Sequence, residues 1–227
     1  DLKEESSQSV SASVDWYHAF GSVQTNLLIE GFYTNLSDVF VLRQLDQIDA
    51  YGNQVLERQN GDGARVWGFN IEARAGLGTK WQAQTGFTYQ QSRYKRLEQW
   101  SDNPAVPAVR RLFRTPDAYG YLTLKYNPLK QLAISAHGTC TGKMVVQHLA
   151  GSGTPTDCAV TTPIFVDMGM KVSYDFRLFQ YSTLTLSAGI QNIFNSYQRD
   201  FDQGPDRDSG YIYGPMMPRS IILGVKI

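Results

Sequence analysis

Near the C-terminus, apolar side chains recur at every second position, namely Ile221, Leu223, Val225 and Ile227. Gly224 and Lys226 lie between them and are small or charged. Because successive side chains of a β-strand point to opposite faces, this period of two predicts a strand with one apolar face and one polar face. A helix would need apolar residues three and four positions apart instead.

The same alternation occurs at intervals along the whole chain. It predicts about nine strands and an all-β fold. The abundance of Tyr, Phe and Gly agrees with this fold class, since aromatic residues favour strands. The predicted strands lie around residues 9–16, 24–33, 68–75, 81–89, 120–126, 132–139, 166–176, 183–191 and 221–227.

Alternation alone allows two architectures. In a soluble sandwich the apolar face is the core, and in a membrane barrel it meets lipid while the polar face lines the lumen. The polar faces carry single charges that a dry core would not accept without partners. These charges are Glu30, Glu72, Lys125, Asp167 and Lys171.

The lengths of the connections favour the barrel. Short links, written HAFGS, GLGTK, NPLKQ and RLFQYS, alternate with long polar segments around 35–64, 91–115, 142–162 and 195–210. Outer-membrane barrels have tight turns on the periplasmic rim and long loops outside the cell. Aromatic residues beside the short links fit an interfacial girdle, and they are Trp16, Tyr17, Trp81, Tyr126, Tyr174 and Phe176.

Charge and motifs exclude several function classes. The sequence has 21 basic and 21 acidic residues, so its zero net charge gives no general attraction to nucleic acid. It lacks the nucleophile elbow of hydrolases, the zinc-protease motif and the phosphate-binding glycine loop. We therefore predict a protein that is not an enzyme and needs no cofactor.

Three segments resemble a known family. The segments are RVWGFNIEA, GIQNIFN and the final PRSIILGVKI. They are similar to the strand, penultimate-strand and last-strand patterns of TonB-dependent outer-membrane receptors, and the likeness runs over nearly the whole chain. One departure is Ile227, which stands where barrels of this kind usually end in an aromatic residue.

The resemblance implies a transmembrane antiparallel β-barrel of about 22 strands, filled by an N-terminal plug. Residues 1–227 would supply the C-terminal part of that barrel, and we expect the plug and the earlier strands to lie outside this sequence. The implied location is the Gram-negative outer membrane, in contact with lipid and lipopolysaccharide.

The resemblance also implies a function. It would be TonB-energised import of a scarce nutrient chelate, such as siderophore-bound iron, haem or cobalamin. TonB would act through the absent N-terminal segment. Two alternatives remain open from the sequence: a glycan importer working with a surface lipoprotein, and a soluble β-rich binding module.

The segment 91–115 combines cationic and aromatic side chains and is the predicted ligand-binding site. Guanidinium groups pair with anions, and aromatic rings stack on planar ligands. The alternative is a solvated loop that balances lipopolysaccharide charge. The predicted ligand-binding residues are Arg93, Tyr94, Trp100, Arg110 and Arg111.

The stretch RDFDQGPDRDSG, residues 199–210, resembles a metal site at first sight. A calcium loop that starts at Asp200 would have Gly204 at its fifth position and Tyr211 at its twelfth, which does not fit. We predict instead that its aspartates, Asp200, Asp202, Asp206 and Asp208, pair with Arg199, Arg207 and turn amides.

Two histidines and two cysteines are further candidate functional residues. A haem or metal contact by His137 or His148 is an open alternative, although most such residues are solvated or hydrogen-bonded. Cys140 and Cys158 are either a disulfide or two free thiols.

Overall fold

The computed structural model describes residues 2–52, 54–179 and 182–227. Among these residues, no helix is long and apolar enough to cross a membrane. The described residues form strands in the following order: β1 (Ser6–Phe20), β2 (Val23–Ser37), β3 (Phe40–Ile48), β4 (Gln54–Asn60), β5 (Ala64–Leu77), β6 (Trp81–Glu98), β7 (Val109–Arg111), β8 (Ala118–Leu129), β9 (Leu132–Thr141), β10 (Val145–His148), β11 (Cys158–Thr161), β12 (Phe165–Phe179), β13 (Ser182–Gln191) and β14 (Ser220–Lys226).

The main sheet has the neighbour order β1-β2-β5-β6-β8-β9-β12-β13-β14, and every pair in it is antiparallel. These strands are the nine that alternation predicts, so the all-β fold class is confirmed. A sandwich would need a second sheet packed on the first, whereas the residues that the structure describes place no such layer on this apolar face. The predicted turn RLFQYS contains Gln180 and Tyr181, which lie outside the described residues.

Short and long connections lie at opposite ends of the sheet. We call the end with the long connections the outer end and the other the inner end. Tight links at the inner end join β1 to β2, β5 to β6 and β8 to β9. The long connections at the outer end span 38–63, 99–117, 142–164 and 192–219. This is the sorting that the sequence predicts.

We call the main sheet of nine strands the wall. Its register explains how alternation along each strand gives the sheet one apolar and one polar face. One row across six strands consists of apolar residues only: Ala83, Leu124, Ala136, Met170, Ile190 and Ile221. The adjacent row on the opposite face is Gln82, Lys125, Ser135, Lys171, Gly189 and Ile222. Because paired residues share a face, one face is consistently apolar and the other is mainly polar, as in a transmembrane barrel wall.

The wall is open at both sides. Among the strands that the structure describes, β1 pairs only with β2 and is exposed along its length, and β14 pairs only with β13. Unpaired edges of this length invite pairing with further strands. The geometry is that of a portion of a larger closed barrel.

The long connections contain strands that the sequence analysis treats as loop. β3 and β4 form a hairpin, β7 pairs with β6, and β10 pairs with β11. These strands are short or lie in polar segments, so they lack the repeated alternation that identifies the wall strands.

The buried core of the chain lies at the outer end. It consists of Met144, Val146 and Tyr211, with Val160 and Tyr213 packed against it. The apolar face of the wall is largely exposed, as for Ile221 and Leu223, which is the arrangement of a barrel whose outer face meets lipid. Cys140 and Cys158 are both free thiols, which decides between the two alternatives.

Candidate functional site: the outer loop cluster

Three of the four long connections meet over the outer end of the wall. We call residues 99–117, 142–164 and 192–219 the outer loop cluster. It contains the candidate ligand residues Trp100, Arg110 and Arg111, and the aspartate stretch. Its contacts decide whether these loops move independently or as one unit.

The first contact joins the connection 99–117 to the other two. Phe113 forms a β-bridge with Val145, and the Arg114 amide donates to the Val145 carbonyl at 2.8 Å. The Arg114 guanidinium donates to the carbonyls of Ile212, at 2.8 Å, and Gly210. Arg114 adopts a positive φ of 57°, which turns the chain at this junction.

A second contact is made by Asp157. One carboxylate oxygen accepts from the Ser101 hydroxyl at 2.7 Å, and the other accepts from the Ala150 amide at 2.7 Å. Ser101 belongs to the connection 99–117, so Asp157 ties it to the connection 142–164. Hydrogen bonds to an ionised acceptor contribute about 1.5–3 kcal/mol each, which makes this a substantial link.

The third contact centres on Asp200. Its carboxylate accepts hydrogen bonds from the hydroxyls of Tyr211, at 2.9 Å, and Tyr213, at 2.6 Å. The fully buried Gln198 donates to the Tyr211 carbonyl and accepts from the Tyr213 amide. These bonds fold the connection 192–219 onto itself and place both tyrosine rings against the loop core.

A histidine joins this folded loop to the β10–β11 hairpin. The ring of His148 stacks on Tyr211 with centroids 3.7 Å apart, and its Nε2 lies 2.9 Å from an Asp202 carboxylate oxygen. The other Asp202 oxygen accepts from the Asp208 amide at 3.0 Å, and Asp208 accepts from the Leu149 amide at 2.9 Å. His148 is therefore held as a buried structural contact of the cluster.

The aspartates differ from their predicted arrangement in one respect. Asp202 and Asp208 accept hydrogen bonds from turn amides as expected, but in the described residues none of the four aspartates forms an ion pair with Arg199 or Arg207. Arg207 donates to the Gly204 carbonyl, and the Arg199 guanidinium lies over the Tyr197 ring. Asp200 instead binds the tyrosines of its own connection, 11 and 13 residues away, whereas Asp202 binds His148, 54 residues away in another connection.

The network shifts several pKa values. Burial would raise the pKa of Asp200, but the hydrogen bonds from Tyr213 and Tyr211 lower it overall. The hydrogen bond from His148 lowers the pKa of Asp202. Burial, with the hydrogen bond to Asp200, raises the pKa of Tyr213 to about 12 and raises that of Tyr211 further.

The lowered pKa of Asp202 predicts that the outer loop cluster is destabilised by acid. A carboxyl whose pKa is lowered by folding stabilises the fold above its ordinary pKa, about 3.9, and loses that contribution as the pH falls through the lowered value. We expect the protection factors of amides in 142–164 and 192–219, which correct for the pH dependence of intrinsic exchange, to be unchanged from pH 7 to about pH 5 and to fall, relative to those of the wall strands, below about pH 4.

Asp202→Asn should weaken this acid-dependent step. Asp206→Asn is the matched control, because the Asp206 side chain is exposed and the contact of this residue is made through its carbonyl. Acid profiles that coincide for the two variants would contradict the role of Asp202.

The structure brings some of the predicted ligand residues together. Arg93 and Arg111 are direct partners across β6 and β7. The Arg111 guanidinium pairs with Asp117, and Arg110 is exposed. Tyr94 follows Arg93 in β6 and therefore lies on the other, polar face of the wall.

Trp100 lies inside the outer loop cluster. Its indole ring packs edge-on against Phe113 at 5.3 Å, and its Nε1 donates to the Pro107 carbonyl at 3.3 Å. The ring is half-buried, so part of it remains accessible. Ligand binding by these five residues stays a prediction.

The residues that hold the cluster together are not among those that the sequence predicts as functional. They are Arg114, Asp157, Gln198, Tyr211 and Tyr213. The paired tyrosines of GYIYG are the signal that was available, because two aromatic residues beside an acidic stretch can reach its carboxylates. No group of three or more His, Cys, Asp or Glu side chains that could hold a metal ion occurs in the described part of the chain.

Comparison with known proteins identifies the family. The profile described as TonB dependent receptor-like, beta-barrel matches residues 1–193. The chain therefore belongs to the TonB-dependent receptor β-barrel family, which confirms the resemblance seen in the sequence and the location in the Gram-negative outer membrane. No protein of curated function matches the sequence.

Solved structures share the fold. The ferric-catecholate import receptor Fiu from E. coli K12, in its closed form, is 20% identical with a TM-score of 0.65, and 98% of this chain aligns with 27% of that one. The ferripyoverdine receptor of Pseudomonas aeruginosa bound to ferripyoverdine is 14% identical with a TM-score of 0.63, over 99% and 27% of the two chains.

A third similar structure is the outer membrane transporter YddB from Escherichia coli. It is 13% identical with a TM-score of 0.62, over 99% of this chain and 33% of that chain. The chain thus spans about a third or less of the length of these structures. At these identities the likeness concerns the fold.

Proposed function

We propose that this chain forms the outer-membrane barrel portion of a receptor that imports a scarce nutrient chelate with energy from TonB. The observation that carries the proposal is the family match over residues 1–193, on a wall whose long connections all lie at one end. The protein carries out no covalent chemistry. The plug, the remaining strands and the TonB-contacting segment belong to other parts of the receptor.

The outer loop cluster is the proposed place of first ligand contact. Its three connections are joined by Arg114, Asp157 and the Asp200 network, so it presents a pre-organised surface. Pre-organisation favours affinity, because less loop freedom is lost when ligand binds. Trp100 offers part of an aromatic face, and Arg110 offers a cation to an anionic chelate.

The polar face of the wall is the proposed path inward. It carries hydrogen-bonding side chains, such as the row Thr88, Asn70 and Glu30, which crosses three neighbouring strands and is linked at 2.8 and 3.0 Å. A solute released from the outer site could pass along such groups once the plug has moved. Among the similar structures, Fiu is named for ferric-catecholate import and another for ferripyoverdine, so ferric chelates are the proposed ligand class.

Uptake measurements test this function. A deletion strain is supplied with the whole receptor and given radiolabelled ferric catecholate, ferric hydroxamate or ferripyoverdine under iron limitation. We expect uptake of at least one chelate, and we expect it to be lost when TonB is removed. Uptake of none of the three, with the receptor present in the outer membrane, would contradict the proposed ligand class.

The variant Arg110→Ala tests how much one cation contributes to ligand affinity. A charge-assisted hydrogen bond contributes about 1.5–3 kcal/mol, so we expect ligand affinity to fall about tenfold or more in equilibrium binding to the whole receptor. Arg177→Ala is the matched control, because Arg177 is also exposed but lies at the inner end of β12. Equal affinity of the two variants would remove Arg110 from the proposed site.

A further inference from the structure

A row of arginines crosses the outer end of the wall. Arg65 in β5 is paired with Arg93 in β6, and Arg93 is paired with Arg111 in β7. Arg65 is exposed and Arg93 is partly exposed. Three adjacent strands therefore place arginines side by side, where directly opposed like charges are unfavourable.

The arginines lie on the apolar, lipid-facing side of the wall. Arg65 stands two residues from Trp67, and Arg93 stands four residues from Tyr89, so each pair shares a face. The pairing runs without a shift from these arginines to the apolar partners Ile71 and Phe87. The geometry thus favours a role for Arg93 other than contact with a ligand inside the barrel.

Two members of the row lack a protein partner. Arg111 pairs with Asp117, and the nearby Asp62 lies 3.7 Å from Arg96. Within the described ranges, neither Arg65 nor Arg93 forms an ion pair or a side-chain hydrogen bond. Because a guanidinium stays charged in proteins, the two opposed cations call for an anion from outside the chain.

The row lies at the height of lipid headgroups. On the same face, the next positions towards the membrane hold Trp67, which is 46% exposed, and then Phe69 and Tyr89. Trp and Tyr mark the membrane interface in barrels. With a rise of about 3.3 Å per residue, Arg65 stands about 7 Å beyond the Trp67 level, on the outer side.

We propose that Arg65 and Arg93 bind a phosphate group of an anionic glycolipid in the outer leaflet. The planar forks of two guanidinium groups match the oxygens of a phosphate, and the aromatic and apolar residues below them can pack against the acyl chains. Lys95 lies two residues beyond Arg93 on the same strand face and donates to the Ser37 hydroxyl at 2.9 Å, which adds a third cation at the rim of this site.

A lipid is favoured over a soluble anion as the source of the phosphate. The site lies on the outside of the barrel, where a solute bound for the lumen does not pass. It is also continuous with the lipid-facing surface, since Trp67 and Phe69 follow Arg65 on the same strand face. The proposal rests on the outer-membrane location alone and is independent of which nutrient the receptor imports.

The test uses the whole receptor in nanodiscs that contain lipopolysaccharide. Bound glycolipid is measured by native mass spectrometry for the wild type, for Arg65→Gln with Arg93→Gln, and for the control Arg177→Gln at the inner end of β12. We expect the double variant to bind the glycolipid about tenfold or more weakly, since two charge-assisted contacts are lost, and the control to match the wild type.

Two further arms identify the source of the phosphate. Dephosphorylated lipopolysaccharide should bind the wild type as weakly as the double variant binds the intact glycolipid. Inorganic phosphate at millimolar concentration should not displace the glycolipid. Equal binding of the double variant and the wild type, no effect of dephosphorylation, or full displacement by inorganic phosphate would each overturn the proposed site.

Discussion

Gly68→Val is expected to weaken the pairing of β5 with β6 and so to destabilise the wall. Gly68 lies in β5 directly opposite Gln90 of β6. A Cβ atom at this position would meet the Tyr89 carbonyl and would lie 2.8 Å from the Gln90 Cα, which is closer than van der Waals contact allows. Since the obstacle is backbone, the two strands would have to move apart.

The expected cost follows from overpacking. Extra methyl groups in a well-packed place cost about 1–3 kcal/mol, and displacement of a strand pair adds lost hydrogen bonds. We expect the whole receptor, extracted in detergent, to unfold more than about tenfold faster in urea and to reach the outer membrane in smaller amounts. Unfolding is followed by circular dichroism and by the heat-modifiable mobility of the folded barrel.

Gly31→Val is the matched control. Gly31 also lies inside a wall strand, but a Cβ atom there would meet nothing within 4 Å. The added side chain would face lipid, where apolar groups are accepted. If Gly31→Val made unfolding as much faster as Gly68→Val does, the close approach of β5 and β6 would not be the cause.

The wall could be predicted from the sequence because its determinants are local. Apolar side chains at every second position, as in Leu184, Leu186 and Ile190, are required wherever one face meets lipid. The short links then force the strands that they join to pair, as β1 does with β2, β5 with β6 and β8 with β9. Among the described strands, prediction missed β3, β4, β7, β10 and β11, which are short or lie in polar segments without that repeated pattern.

The outer loop cluster could not be predicted, because its partners are distant in sequence. The aspartates were expected to bind Arg199 and Arg207, which are close neighbours. In the structure Asp202 binds His148, 54 residues away, and Arg114 reaches the Gly210 carbonyl across 96 residues. Such pairs depend on how the wall brings its loops together, and no periodic pattern in the sequence records that distance.

Tyr211→Ala is expected to separate the outer loops while the wall remains folded. Tyr211 is 3% exposed, stacks on His148 and donates to Asp200. Removal of a buried aromatic side chain costs about 3–5 kcal/mol, and here it also takes away a contact between two connections. The connection 192–219 should then lose the stacking contact that attaches it to the β10–β11 hairpin.

Hydrogen exchange of the whole receptor measures this separation. We expect amides in 142–164 and 192–219 to exchange about a hundredfold faster or more, while those of β5 and β6 are unchanged. Tyr211→Phe keeps the stacked ring, and Asp200 keeps its bond from Tyr213, so this variant should lose only about 1 kcal/mol of protection.

Tyr51→Ala serves as the control, because Tyr51 lies in another outer connection and is 90% exposed. It should leave exchange in the outer loop cluster unchanged. If Tyr211→Ala did the same, the loops would be held by Arg114 and Asp157 alone. If it loosened the cluster and weakened ligand binding in parallel, the rigid arrangement of the loops would itself be what the ligand recognises, since Tyr211 is buried and unable to touch a ligand directly.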